Sequence, residues 1–136
     1  MAMFLNYLKE DNKEYFLKVC VHAALSNGIF AEEEKETLDS YCREMNVEVH
    51  TPDTQESFLD LLKLVSKNTT SAERNIFVIE TLALIKADGI YDEKEKSFMT
   101  ELVKGLNVSE SELERFSELL DKYIEIGKEL YTGIIE

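Results

Sequence analysis

Apolar residues recur along the chain at three- and four-residue intervals, and each such stretch is bounded by cap or turn residues. Phe16, Val19, Cys20 and Ala23 mark a first helix within Tyr15–Leu25. The flanking residues there are apolar too, so this helix is expected to be buried on more than one side. Asn27-Gly28 stops it. Glu32-Glu33-Glu34 opens a second helix near Ala31, with Leu38, Tyr41, Cys42 and Met45 on one face. Thr51-Pro52 reads as an N-cap followed by a first-turn proline. The face after it is Phe58, Leu61, Leu62 and Val65, ending near Asn68. Thr70 and Glu73 form a capping box for a helix carrying Ile76, Phe77, Ile79, Leu82, Ala83 and Ile85, which stops at Asp88-Gly89. Asp92 and Glu95 form another box, ahead of Phe98, Met99, Leu102, Val103 and Leu106. Ser109 and Glu112 open the last helix, whose face reads Leu113, Phe116, Leu120, Tyr123, Ile124, Gly127, Leu130, Tyr131 and Ile134. No stretch alternates with period two, so the fold class is all-α, a single-domain helical bundle over residues 1–136.

The chain also meets itself at an offset of 61. Asn27-Gly28-Ile29-Phe30-Ala31-Glu32-Glu33-Glu34-Lys35 lies on Asp88-Gly89-Ile90-Tyr91-Asp92-Glu93-Lys94-Glu95-Lys96, and Met45-Asn46-Val47 lies on Leu106-Asn107-Val108. Seven of 21 positions between 27 and 47 are identical, where unrelated segments would share roughly one or two. The bundle is therefore expected to be a duplicated helix–turn–helix with Asn/Asp-Gly turns, its repeats at about 15–47 and 76–108. Neither hairpin can hide its apolar face alone, so the copies should pack face to face about an approximate twofold axis. With that axis along the bundle, the two turns meet at one end, held by Ile29 and Ile90.

Charge narrows the function classes. Twenty-eight acidic residues against 15 basic ones give a net charge of −13. Such a surface repels phosphate backbones, so nucleic acid is not an expected partner, and anionic membrane surfaces are disfavoured. The start of the chain lacks the basic residues of a signal peptide and the apolar runs are too short to span a bilayer; a cytoplasmic protein with no direct membrane insertion is expected. Cys20 and Cys42 fall on apolar faces and read as reduced core thiols. With His22 and His50 they lack the spacing of a zinc site.

The acidic turns are the one feature with candidate chemistry. An EF-hand register through Asp88-Gly89 to Glu95 puts Leu84 and Lys86 where oxygen ligands are required, which rejects that loop. A looser site for calcium or magnesium would draw on Asp88, Asp92 and Glu95, with Asn27 and Glu34 from the first copy. Every one of these acids also has a local role at a turn, cap or helix start. No catalytic arrangement stands out, and no cofactor is expected beyond such a cation.

The segment Ile79-Glu80-Thr81-Leu82-Ala83-Leu84-Ile85-Lys86-Ala87-Asp88-Gly89-Ile90-Tyr91-Asp92-Glu93-Lys94-Glu95 resembles the hallmark of TerB-like (tellurite-resistance) proteins: Ala-Asp-Gly, a short spacer, then a glutamate opening the next helix. Ala23-Ala24-Leu25-Ser26-Asn27-Gly28 through Glu34 resembles the earlier copy, with Asn27 where the pattern has aspartate and Ala31 opposite Asp92. The likeness covers roughly residues 12–120, and a related helical domain begins a membrane-anchored J-domain co-chaperone. It implies a helical bundle, a link to bacterial stress or tellurite-resistance systems, and metal binding through turn acids that Asp88, Glu95 and Glu34 match. No enzymatic activity follows. Three functions stand: a non-enzymatic interaction module with a protein partner, a divalent-cation-binding protein, and, behind both, a carboxylate enzyme.

Overall fold

The computed structural model describes residues 3–26, 32–86 and 91–136, and among them every regular element is helical. A 3-10 turn at Leu5–Tyr7 precedes α1 (Glu10–Leu25), α2 (Glu32–Glu44), α3 (Phe58–Asn68), α4 (Ser71–Lys86), α5 (Glu93–Gly105) and α6 (Glu110–Ile134).

α1 and α4 form the centre. Both are apolar nearly all round, as a helix enclosed by others must be. Phe16, Leu17, Val19, Cys20, Val21, Ala23 and Ala24 of α1 are buried, as are Phe77, Val78, Leu82 and Ile85 of α4. α2 and α3 pack against α1, α5 and α6 against α4, and α3 meets α5. Asn12 donates to Glu73 at 2.9 Å, and one turn on, the rings of Phe16 and Phe77 lie 5.5 Å apart. The partners advance together, so α1 and α4 run in the same sense.

The helix bounds follow the 61-residue offset. α1 and α4 each have 16 residues and start at 10 and 71, while α2 and α5 each have 13 and start at 32 and 93. The ends of α2 and α5 are built alike. Asn46 (φ 59°) and Asn107 (φ 62°) take the left-handed conformation. Val47 N–H then donates back to Cys42 at 3.0 Å and Val108 N–H to Val103 at 2.9 Å. This is the Schellman ending, with asparagine in glycine's usual place and an apolar residue after it folded onto the core. Lys13, buried on α1, donates to the Met45 carbonyl at 2.8 Å and fixes the end of α2 to it.

Three sequence expectations hold at the caps. Thr70/Glu73 and Asp92/Glu95 both close as capping boxes, and Ser109 caps α6. The Thr51 cap does not form. Residues 47–55 are non-helical, and α3 starts at Phe58 behind Ser57, whose hydroxyl accepts the Asp60 N–H at 3.1 Å. Pro52 is buried in that connection instead of opening a helix. The helix waits for the first apolar residue that can face the core, Phe58, whose ring stacks on Phe98 at 4.6 Å. Cys20 and Cys42 are buried free thiols, and burial, with Glu80 nearby, pushes the Cys20 thiol well up.

Candidate functional site

Of the five proposed metal-site residues, Asp92, Glu95 and Glu34 are described; Asn27 and Asp88 lie outside the described residues, as do Ile29 and Ile90. Asp92 Oδ1 accepts the Glu95 N–H at 2.9 Å, and Glu95 Oε1 accepts the Asp92 N–H at 3.1 Å. Each acid thus commits one oxygen to the start of α5, and Glu95 is nearly buried in doing so. Glu34, half-buried on α2, is not brought together with them into any three-residue acidic cluster: among the described residues no group of three or more His, Cys, Asp or Glu side chains is placed to hold a metal ion. Tyr91, next to Asp92, packs against the core with Lys86 and Lys96 over its ring at 5.3 and 5.7 Å. Burial, then the Glu95 charge, raises its phenol above the ordinary value.

Cys20 and Cys42 lie near each other in the core and the Cys42 thiol donates to the His50 carbonyl at 3.5 Å, but with the histidines they form no metal-holding group among the described residues. His22 lies against the Phe58 ring at 5.3 Å, and burial lowers its pKa ahead of the opposing pull of Glu56. His50 sits on the surface, its Nε2 2.6 Å from Glu14.

A buried carboxylate that the sequence does not flag lies at the heart of the fold. Glu80, on α4, is fully buried. Its Oε2 accepts the N–H groups of Met3 and Phe4 at 2.7 and 2.6 Å, while Oε1 has no partner among the described residues. Burial raises its pKa, and the two N–H donors oppose that only in part. The consequence is positional. Glu80 clamps the N-terminal segment onto α4, and Glu73 does the same one step on, accepting the Lys9 N–H at 3.0 Å.

The clamped segment forms one wall of an apolar groove of about 450 Å³. Met3 and Phe4 line that wall, and Ile76 and Ile79 of α4 line the floor. α6 supplies the far wall through Phe116, Leu119, Leu120 and Tyr123. α6 is held at this point by Lys86, whose ammonium donates to Ser117 at 2.7 Å and Asp121 at 2.9 Å. Beyond Asp121 the helix leaves the body, and nearly every residue from there to the end is exposed. Its apolar face does not stop there. Tyr123, Ile126, Leu130, Tyr131 and Ile134 are 46–72 % exposed, with Leu119 at the groove's lip 48 % exposed. Single exposed apolar residues are ordinary, but a contiguous run of this length is the mark of a contact surface. The period of α6 was legible in the sequence. Its freedom from the body was not, because an apolar stripe reads the same whether or not a neighbour covers it.

No described helix is long and apolar enough to cross a membrane. No protein-family model, curated protein or solved structure matches the chain.

Proposed function

We propose that this chain is a non-enzymatic protein-interaction module, which docks through the apolar groove and the α6 face that continues from it. The observation that carries the reading is that continuity: a groove walled by a clamped N-terminal segment opens onto a projecting helix whose large apolar residues are unpaired among the described residues. The TerB-like resemblance supplies the setting, a bacterial stress or tellurite-resistance-type system in the cytoplasm. The shared helix lengths and matched Asn46 and Asn107 endings support reading the two hairpins as copies of one unit. The test is a photo-crosslinking side chain placed in cells at Leu119 or Ile126, with exposed Leu59 on α3 as control. The reading predicts discrete adducts at the first two positions and none at the third. Equal labelling at all three would overturn it.

Calcium or magnesium binding by Asp88, Asp92, Glu95, Asn27 and Glu34 is the alternative. The capping of α5 by Asp92 and Glu95 gives both acids a structural reason to be present, which favours the interaction reading. Calorimetric titration with either cation, repeated on Glu95→Gln, decides between them: heat that the variant abolishes would favour the cation.

A further inference from the structure

We propose that the occupant of the free α6 face is the same face of a second copy of this chain. The inference rests on the docking reading above and names its partner.

Spacing is the first argument. Leu113, Phe116, Leu120, Tyr123, Gly127, Leu130 and Ile134 follow one another at alternating intervals of three and four, the seam along which helices pair side by side. The first three pack into the body. Tyr123 stands at the edge of the groove, and Gly127, Leu130 and Ile134 continue the same seam beyond the body among the described residues. Residues 119–134 span about 24 Å of helix, at about 1.5 Å per residue.

Glycine is the second. Gly127 and Gly133 lie inside α6, where glycine disfavours the helix relative to alanine. Among the described residues, a Cβ at either position would meet nothing within 4 Å. Gly105 differs, since a Cβ there would collide with Leu62. The fold of one chain thus explains Gly105 but not Gly127, which stands on the seam with open space in front of it. A second helix approaching backbone to backbone gives that absence of a side chain a purpose.

Area and charge choose among occupants. Leu119, Tyr123, Ile126, Leu130, Tyr131 and Ile134, all about half exposed or more, offer on the order of 100 Å² each. Together that is about 600 Å² per partner, the lower end of specific interfaces. Between 119 and 135, Asp121, Glu125 and Glu129 stand against Lys122 and Lys128, a net charge of −1 within a chain of −13. Two such acidic molecules can meet here with little repulsion. A lipid surface is the poorer fit, because interfacial helices carry an excess of lysine and arginine on the polar face and this one does not.

The test is sedimentation equilibrium on the full chain up to about 1 mM, for the parent, Leu130→Glu and Leu59→Glu. The parent and Leu59→Glu should reach twice the chain mass. Leu130→Glu should remain monomeric, with circular dichroism showing that its helices persist. As a second probe, Gly127→Cys should form a covalent dimer on mild oxidation, because Cys20 and Cys42 are buried and do not compete. A parent that stays monomeric throughout, a dimer that survives Leu130→Glu, or flotation of a monomer with neutral phosphatidylcholine vesicles would each overturn the second copy as occupant. If, with a monomeric parent, Leu130→Glu abolishes the cellular crosslinks at Ile126, the docking reading stands without it. If those crosslinks are also absent from the parent, both fall.

Discussion

Phe16 and Phe77 meet edge to face at the centre of the bundle, their ring centroids 5.5 Å apart and their planes at 89°. They are 61 residues apart, so each is the other's counterpart under the sequence offset. Asn12 and Glu73, one turn earlier, touch at the same separation. Two successive contacts between residues 61 apart thus line the α1–α4 pair, and both rings are fully buried. Phe77→Ala should therefore lower unfolding free energy by about 3–5 kcal/mol, the range for deleting a buried ring. A double-mutant cycle of Phe16→Leu and Phe77→Leu should give a coupling of about 0.5–1.5 kcal/mol for the edge-to-face pair. Urea titrations of Phe77→Ala and of the four proteins of the cycle measure both, and strict additivity would mean the rings merely share the core.

The start of α3 distinguishes two candidate caps. Ser57→Ala should cost about 1 kcal/mol, because the Asp60 N–H loses its acceptor. Thr51→Ala should fall within about 0.5 kcal/mol of the parent, since Thr51 is exposed and precedes no helix. Thermal melting of both variants reads the difference; a reversed order would restore the helix start to Pro52.

That contrast shows what the chain wrote plainly and what it did not. Local grammar was legible wherever side chain and backbone lie within one turn: the Thr70/Glu73 and Asp92/Glu95 boxes, the Ser109 cap, the period of α6. Thr51-Pro52 carries the same local grammar, but burial of Pro52 in the connection and the demand that Phe58 face the core set the boundary instead. Glu80 was illegible for a related reason. A glutamate among apolar helix residues looks like a solvent-facing position, and only the return of Met3 and Phe4 across α4, more than 70 residues away in sequence, makes it a buried clamp. The left-handed Asn46 and Asn107 lay inside the matched segments, yet their role emerges only from the bonds that Val47 and Val108 send back.

Two glycines on helices should respond in opposite directions. Gly105→Ala places a methyl against Leu62, including its Cβ, so the neighbouring helix must shift. A net loss of about 1–3 kcal/mol is expected despite alanine's better helix propensity. Gly127→Ala meets nothing among the described residues and should stabilise the isolated protein by up to about 1 kcal/mol. Urea midpoints at low protein concentration measure both. A destabilising Gly127→Ala under those conditions would mean that α6 packs against its own body.

Glu73 and Glu80 hold the same N-terminal segment from the same helix, yet they should give stability opposite dependences on pH. At Glu73, burial pushes the pKa up, but the Lys9 N–H, the Asn12 amide and the Thr70 N–H outweigh it, and the carboxyl titrates below its ordinary value of 4.5. The folded state therefore binds the proton less readily than the unfolded chain. Glu73 contributes stability that is present above the ordinary value and lost as pH falls through the folded one. At Glu80, burial prevails over the Phe4 and Met3 N–H donors and the carboxyl titrates above 4.5. The folded state here holds the proton more tightly, so stability declines as pH rises from 4.5 through the folded value and stays lower above it. The expected result is a pair of crossing trends. Relative to the parent, Glu73→Gln should lose stability as pH rises from about 3 to about 8, while Glu80→Gln should gain it. Melting temperatures at half-unit intervals, taken as variant minus parent to cancel the other carboxylates, measure the two slopes. Two falling slopes would show that the Met3 and Phe4 N–H groups hold Glu80 as an ion, making the clamp a charged one like its neighbour.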